Sequence, residues 1–207
     1  MSTIQLHTTY FGPVQWYQAL NKAEICFIDQ HETFQKQTLR NRCVIATANG
    51  RQALTVPVKH GTSKLIRDIR ISDHGEWRHL HWNALLSAYG HSPFFEYYAD
   101  DIHPFFEKRW EFLFDFNLEI MHTMCQLLDI EDNITPSDPS DPTPGPSQGR
   151  GDTPTPSPSP GRGDYPQPST FHFEPYYQVF AAKHGFLENL SILDLLFNMG
   201  PEAVFYL

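Results

Sequence analysis

The chain has 207 residues and a formal net charge of −9, because 15 lysines and arginines stand against 24 aspartates and glutamates. This length fits one domain of ordinary size or slightly more, and an acidic chain without a basic run is a poor candidate for nucleic-acid binding. No stretch is long and apolar enough to span a membrane, and the first residues lack the pattern of a signal peptide, so a cytoplasmic protein is expected.

The first 30 residues predict a βαβ opening. Residues 4–7 are predicted as a short strand, Pro13 opens a helix over about 13–22, and residues 25–28 form a compact apolar run typical of a buried strand. Because the two strands are separated by one short helix, we expect them to be parallel and joined by a right-handed crossover.

A β-hairpin is predicted next. The runs 43–48 and 53–58 flank Asn49-Gly50, and an Asn-Gly pair between β-rich runs is a strong hairpin signal. Residues 66–72, with the sequence IRDIRIS, are predicted as a further strand, which makes about five strands in one mixed sheet.

Helices dominate the chain after residue 75. Apolar residues at helical spacing predict helices over about 75–89, 93–108 and 109–130. A last helix is predicted after Ser191, which is a typical N-cap, and it is ended by Gly200-Pro201. An isolated helix of about ten residues is marginal in water, so this last helix must pack on the N-terminal part.

A change of composition separates the last helix from the rest. Twelve of the 17 prolines lie between residues 131 and 175, and such a segment cannot bury enough apolar surface to fold. We therefore predict a disordered linker over 133–170 and one globular domain built from 1–132 and 171–207. The linker contains Gly-Arg-Gly-Asp twice, at 149–152 and 161–164, which we interpret as a local duplication rather than an integrin-type signal.

The expected fold is therefore mixed α/β. A mixed sheet of about five strands, which includes the βαβ unit and the hairpin, is covered by three to five helices and interrupted by the long disordered insert.

The densest group of polar side chains follows the second predicted strand, and ligands collect at the carboxyl ends of strands in open α/β sheets. His31 is a candidate general base that Glu32 would orient. A phosphate or carboxylate would bind to the basic and amide side chains of the same segment: Gln30, Lys36, Arg40, Asn41 and Arg42. The alternative is a solvated loop with ordinary surface ion pairs.

Two further candidate ligand contacts lie outside that segment. Tyr10 belongs to the loop 7–13, which leads into a helix N-terminus that favours anions, although the loop could simply start the helix. His81 lies on an apolar helix stripe, where a histidine is more often a core residue, and Asn117 is expected to be a buried hydrogen bonder.

No metal or cofactor is expected. The cysteines, Cys26, Cys43 and Cys125, are far apart and form no Cys-x-x-Cys pair, so reduced and buried thiols are predicted. The histidines form no compact ligand set, and no phosphate-loop, dinucleotide-binding or nucleophile-elbow motif occurs.

Several short blocks occur in a fixed order along the chain: YFGPVQW at 10–16, QHE at 30–32, QKQ at 35–37, RNRC at 40–43, VPV at 56–58, Trp77 with His81-Trp82, SPFFEYY at 92–98, FDFN at 114–117 and LSILDLLFN at 190–198. Together these blocks resemble the WbqC-like protein family, particularly its members from Bacteroidota, over about 3–130 and 176–207. Many members carry Gln-Pro where this chain has His7-Thr8.

The resemblance implies a cytoplasmic protein of a largely uncharacterised family, some of whose members are encoded in gene clusters for O-antigen or other surface polysaccharides. It implies a transferase-like or ligase-like enzyme that acts on a small anionic sugar precursor. The block from residue 30 to 42 matches best and coincides with the polar segment described above.

Two alternatives accompany this hypothesis. The layout is also similar to the opening of nucleotidyltransferases, but Gln15 and Gln18 stand near where the catalytic histidines would fall, so nucleotidyl transfer ranks low. A noncatalytic protein would instead bind a glycan precursor or a partner enzyme through aromatic residues at 94–98.

Overall fold

A three-stranded parallel sheet forms one part of the fold, and it opens with the predicted βαβ unit. The computed structural model describes residues 2–59, 61, 63–137 and 174–207. Strands β1 (Thr3–Leu6) and β2 (Ile25–Asp29) are parallel and are joined through helix α1 (Val14–Asn21). A strand from much later in the chain, Ile134–Ser137, pairs in parallel with the other edge of β2.

The predicted hairpin forms a second, separate sheet. Strands β3 (Arg42–Thr47) and β4 (Gly50–Thr55) are antiparallel, with Thr47 opposite Gly50. The turn is thus centred one residue earlier than predicted, and Gly50 has φ +98°, a conformation that favours glycine. With β5 (Ile134–Ser137), the described residues hold five strands, the expected number, but β5 was not predicted and the strands are divided between two sheets instead of one.

The prediction of a strand over 66–72 was wrong. Residues Ile66–Asp68 form a 3-10 helix, and only isolated bridges at Arg70 and Ile71 have β character. The reason lies in the spacing, because Ile66 and Ile69 are both buried and are three residues apart, as a 3-10 turn requires.

Helices cover both sheets, as the expected α/β fold class requires, and that class is confirmed. The described residues contain more helices than the predicted three to five: α2 (Trp77–Tyr89), α3 (Phe95–Ile102), α4 (Pro104–Glu107), α5 (Leu113–Leu127), α6 (Ala181–His184) and α7 (Ile192–Met199), in addition to α1. The helix predicted over 93–108 is divided before Pro104, which has no N–H to continue the backbone ladder. No helix in the described part of the chain is long and apolar enough to cross a bilayer.

Helix α7 lies at the centre of the core. Met199 is partly buried, and the other apolar side chains of α7 are fully buried: Ile192, Leu193, Leu195, Leu196 and Phe197. The predicted cap is present, because Ser191 Oγ accepts a hydrogen bond from Leu193 N at 3.3 Å. Backbone bonds join the start of α7 to the N-terminal part, from Ile192 N to Gly12 O at 2.8 Å and from Ser191 N to Val44 O at 2.8 Å.

The predicted linker begins too early in the sequence. Strand β5 lies inside the range 133–170, so the ordered part of the chain extends to Ser137. The remainder of that range, with both Gly-Arg-Gly-Asp repeats, lies outside the described residues. All three cysteines are buried and unpaired, as predicted.

A buried carboxylate connects α7 to the segment that precedes it. Asp194 accepts hydrogen bonds from Tyr89 on α2 at 2.8 Å, from Tyr176 at 2.7 Å and from Gln178 at 2.9 Å. Burial raises the pKa of Asp194, and the hydrogen bonds from the two tyrosines and the glutamine oppose that rise. This cluster therefore fixes residues 176–178 to the core.

We expect Tyr176→Phe to lower the free energy of unfolding by about 1–3 kcal/mol, since it removes one of the donors to the buried Asp194 carboxyl. Tyr177→Phe is the matched control, because the neighbouring Tyr177 is 58% exposed, and its effect should stay within about 0.5 kcal/mol. Urea denaturation measures both. Equal effects would contradict the role assigned to the Asp194 cluster.

A pair of deletions tests where the N-terminal globular part of the chain ends and the proline-rich insert begins. Replacing residues 142–170 with a short Gly/Ser linker should leave cooperative unfolding intact, because the proline-rich composition predicts no core there. A deletion that begins at Ile134 should lower stability, since it removes a buried residue and the strand that pairs with β2. Equal denaturation midpoints for the two deletions would refute this boundary.

Candidate functional site

The carboxyl ends of the three parallel strands meet at one edge of the sheet, the position at which ligands bind in open α/β folds. The chain leaves β1 at His7 and leaves β2 just before Gln30. Gln30 Nε2 donates to Ser137 O at 2.9 Å, which ties the segment after β2 to the end of β5. Gln30 was predicted as a ligand contact, and the structure engages its amide in holding this edge together.

Three side chains converge at this edge, and we call His7, Glu32 and Arg40 the carboxyl-edge site. Glu32 Oε2 accepts hydrogen bonds from His7 Nδ1 and from Arg40 Nη2, the latter at 2.5 Å. The side chains of Glu32 and Arg40 are only 7% and 5% exposed, whereas that of His7 is 48% exposed. The site therefore combines a buried ion pair with one imidazole that reaches solvent.

Glu32 is an ionised acceptor in this arrangement. Burial alone would raise its pKa, but the hydrogen bonds from His7 and Arg40 and the Arg40 charge outweigh burial and lower it. An ionised carboxylate can only accept, so the proton between the two groups belongs to His7 Nδ1. The separation of 3.0 Å between Arg40 Nη2 and His7 Nδ1 follows from their shared partner, Glu32 Oε2.

This assignment leaves Nε2 as the basic nitrogen of a neutral His7. A carboxylate that holds Nδ1–H fixes both the tautomer and the orientation of the ring, which is the arrangement by which an imidazole serves as a general base. The carboxyl-edge site can therefore accept a proton from a ligand hydroxyl that approaches the exposed side of His7.

The predicted partnership of His31 with Glu32 is replaced by one with Arg67. His31 Nε2 accepts from Arg67 Nη1, and His31 N donates to Asp29 Oδ1 at 2.8 Å. The structure thus brings Glu32 next to His7. From the sequence, these two residues were assigned to different candidate segments, His7 to the loop 7–13 and Glu32 to the segment 30–42. The signal that existed was the position of His7 directly after a strand parallel to β2.

The other residues of the predicted anion-binding segment do not join the carboxyl-edge site. Lys36 is exposed and makes no hydrogen bond or ion pair with the described residues. Arg42 Nε donates to Thr55 Oγ1 across the hairpin at 3.1 Å, and the buried Asn41 donates from Nδ2 to Val56 O at 2.9 Å. Asn117, predicted as a buried hydrogen bonder, donates to Arg40 O at 2.7 Å and so helps to fix Arg40.

Tyr10 and His81 form a pair within the core. Tyr10 OH lies 2.9 Å from His81 Nδ1, and both residues are buried. Burial lowers the pKa of His81 to about 4, against an opposing hydrogen bond to the Thr55 backbone, so the ring is neutral near pH 7. A neutral His81 accepts from Tyr10 OH, and this geometry favours the core interpretation of His81.

The surroundings of the carboxyl-edge site are positively charged. Backbone bonds join the segment 29–42 to the segment 64–68, from Phe34 N to Lys64 O at 2.7 Å and from Ile66 N to Glu32 O at 2.9 Å. Together the two segments carry five basic and three acidic side chains, a local charge of 5 − 3 = +2 in a chain whose net charge is −9. Among the described residues, no group of three or more potential ligands is arranged to hold a metal ion.

We expect Glu32→Gln to lower the free energy of unfolding by about 1.5–3 kcal/mol near neutral pH, because hydrogen bonds to a charged acceptor are lost. The folded-state pKa of Glu32 is lowered from its ordinary value of 4.5, so the stabilisation is complete above that value and is lost as the pH falls through the folded-state pKa. The difference between wild type and Glu32→Gln should therefore be constant near neutral pH and shrink in acid.

Urea denaturation across this pH range measures the difference. Glu119→Gln, at an exposed position on α5, is the control and should show no such pH dependence. A difference between wild type and Glu32→Gln that stays constant down to strongly acidic pH would contradict the ionised, hydrogen-bonded state of Glu32.

Comparisons with known proteins agree with the sequence resemblance. The uncharacterized protein Rv1507c of Mycobacterium tuberculosis strain H37Rv is 28% identical over 207 aligned residues, which cover 88% of this chain and 89% of that protein. No solved structure matches this chain. The model of the WbqC-like protein family matches residues 8–147, a range that includes Glu32 and Arg40 and more than half of the sequence. The chain therefore belongs to the WbqC-like protein family.

Proposed function

We propose that this WbqC-like protein is a cytoplasmic transferase-type enzyme that acts on an anionic sugar precursor in surface-polysaccharide biosynthesis, with the carboxyl-edge site as its active site. The observation that carries the proposal is the shared carboxylate of Glu32, which holds both His7 and Arg40. The family resemblance supports the substrate class.

In the proposed reaction, His7 Nε2 accepts the proton of a sugar hydroxyl while that oxygen forms a bond to the transferred group of a donor. The bond from the transferred group to its leaving group breaks at the same step, and the leaving group departs with the electron pair. The imidazolium of His7 then gives its Nε2 proton to the departed leaving group or to solvent, which restores the neutral base. General-base assistance of this kind contributes about 10²–10⁴-fold to a rate.

Glu32 and Arg40 act through His7 in this proposal. Glu32 keeps the proton on Nδ1 and stabilises the imidazolium that forms when Nε2 is protonated. Arg40 Nη2 and His7 Nδ1 approach the same oxygen, so Arg40 holds Glu32 in place. Arg40 was predicted as a phosphate ligand, and its buried contact with Glu32 favours a positioning role instead. Glu32 Oε1 is buried and accepts no hydrogen bond from the described residues, so Glu32 acts on the ligand only through His7.

The anionic part of the ligand would be held by the exposed cations of the same edge. Lys36 is exposed. The side chain of Arg67 is 45% exposed, and its guanidinium donates a hydrogen bond to His31. These two side chains are the best candidates for phosphate contacts because neither is buried in an ion pair.

The noncatalytic alternative finds less support in the aromatic segment 94–98. Phe95 and Tyr98 are buried, with 3% and 4% exposure, and Phe94 packs partly against the core. Only Tyr97, at 73% exposure, presents a ring to a partner among these residues. One exposed ring is a small surface for binding a partner protein.

Thermal denaturation in the presence of sugar phosphates, nucleotide sugars and inorganic phosphate tests the binding step. A ligand at a hundredfold excess over its dissociation constant should stabilise the wild type by about 2.7 kcal/mol. Lys36→Ala combined with Arg67→Ala should remove most of that stabilisation. Arg109→Ala is the matched control, because Arg109 is an exposed cation on another part of the surface. Full stabilisation of the double variant would place the anion site elsewhere.

The chemical step is tested by following consumption of the bound donor by ³¹P NMR with a sugar acceptor present. His7→Ala should retain ligand-induced stabilisation and lose about 10²–10⁴-fold in turnover. Turnover that is unchanged in His7→Ala would overturn the assigned base. Ligand binding by the wild type without consumption of any donor would favour the noncatalytic alternative.

A further inference from the structure

A cavity of about 600 Å³ lies between α2 and α4 and shares no residue with the carboxyl-edge site. The rings of Trp82 and Phe106 supply its apolar wall, and its polar groups come from Glu76, His79, His103 and Glu107. Its size falls in the range of small-molecule sites, which are apolar cavities with a few polar groups. We call it the α2–α4 cavity.

Two hydrogen-bond donors of this cavity are available to a ligand. Trp82 is held by its neighbours, with ring centroids 4.4 Å from His103 and 5.8 Å from Phe106. Its indole Nε1 makes no hydrogen bond with any described residue and is not a buried atom, so its N–H can donate. His79 Nε2 accepts from Asn83 Nδ2 at 2.9 Å, which leaves the proton of the neutral ring on Nδ1.

The acceptors of the cavity are two carboxylates. Glu76 precedes α2, and Glu107 lies at the end of α4 with its carboxylate 3.7 Å from His103 Nδ1. Glu107 is 67% exposed in its side chain, so its carboxylate is only loosely engaged by His103. Carboxylate oxygens are strong acceptors for ligand hydroxyl groups.

The charges around the α2–α4 cavity disfavour an anion. Arg78, which also lines it, donates from Nη1 to Asp73 Oδ1 at 2.7 Å and stacks over the Trp77 ring at 4.6 Å. Its positive charge is therefore compensated by Asp73, while Glu76 and Glu107 would repel a negative ligand.

We propose that the α2–α4 cavity binds a neutral, hydroxyl-rich ring compound such as an uncharged glycosyl unit. The C–H face of such a ring packs on the partly exposed Trp82, as apolar surfaces do on aromatic rings, while the buried Phe106 supports Trp82 from behind. Its hydroxyls donate to Glu76 and Glu107 and accept from Trp82 Nε1–H and His79 Nδ1–H. Because hydroxyl groups both donate and accept, they match this mixture of groups. This site stands independently of the proposed transferase reaction.

Nitrogen-proton NMR of the full chain provides a direct test, because each of the four tryptophans gives one indole N–H signal. Trp82→Phe identifies the Trp82 signal by its disappearance. The probes are methyl α-glucopyranoside, methyl α-mannopyranoside, methyl β-galactopyranoside and methyl N-acetyl-β-glucosaminide, each titrated to millimolar concentration. At least one is expected to shift the Trp82 signal saturably and leave the signals of the buried tryptophans unchanged.

The variant Glu76→Gln/Glu107→Gln should weaken that binding by about tenfold, because two charged acceptors become neutral. Leu80→Ala is the matched control, since Leu80 is an exposed residue of α2 outside the cavity lining, and its affinity should equal that of the wild type. Unchanged melting temperatures establish that all variants fold.

Three outcomes would overturn the proposal. The Trp82 signal would stay fixed with every glycoside, or the glutamine variant would bind with wild-type affinity. The third is a shift produced by acetate or butylammonium and by no glycoside, which would assign the cavity to a charged ligand.

Discussion

The buried carboxylate of Asp194 fixes the position of α7, and the first loop of the chain depends on that position. Asp194 receives donors from α2 and from the segment 176–178, so α7 is held from two sides. The start of α7 then fixes Phe11 and Gly12, whose carbonyls accept from Ser191 Oγ and from Ile192 N, each at 2.8 Å. Phe11 has φ +40°, an unfavourable conformation for a bulky residue, and these two bonds hold it there. The loop that begins at His7 therefore ends in a segment that the last helix immobilises.

The ion pair between Glu32 and Arg40 adds geometric precision more than stability. Removing two charges from water is costly, and their attraction offsets that cost only when the remaining hydrogen-bonding groups are also engaged. Glu32 Oε1 is buried and accepts no hydrogen bond from the described residues, so the pair is a weak source of stability. Here Asn117 binds the backbone of Arg40, and Asn41 binds Val56, so the chain around Arg40 is fixed on both sides. A buried pair held this firmly can orient a half-exposed imidazole, which an ion pair on the surface could not do.

Local sequence patterns predicted the elements of this fold better than its contacts. The cap at Ser191 and the turn near Gly50 were visible because each depends on a few neighbouring residues. The candidate segment 30–42 was likewise visible from its composition. The partner of Glu32 was not, because it is set by the register of the parallel strands, in which Leu6 lies opposite Ile28. That register brings the residue after Leu6 close to the chain leaving β2, and no spacing in the sequence encodes it.

Long-range charge distinguishes the two candidate sites further. A net charge of −9 repels anions from most of the surface, so a local excess of basic side chains near Lys36 and Arg67 raises anion concentration there selectively. The α2–α4 cavity is lined by Glu76 and Glu107, shares no residue with the segments 29–42 and 64–68, and has no comparable attraction for anions. In a molecule with one anionic and one neutral, hydroxylated part, the anionic part would therefore be attracted to the carboxyl-edge site and not to the α2–α4 cavity. This separation follows from the distribution of ionised side chains alone, and increasing salt would weaken it by screening the exposed charges.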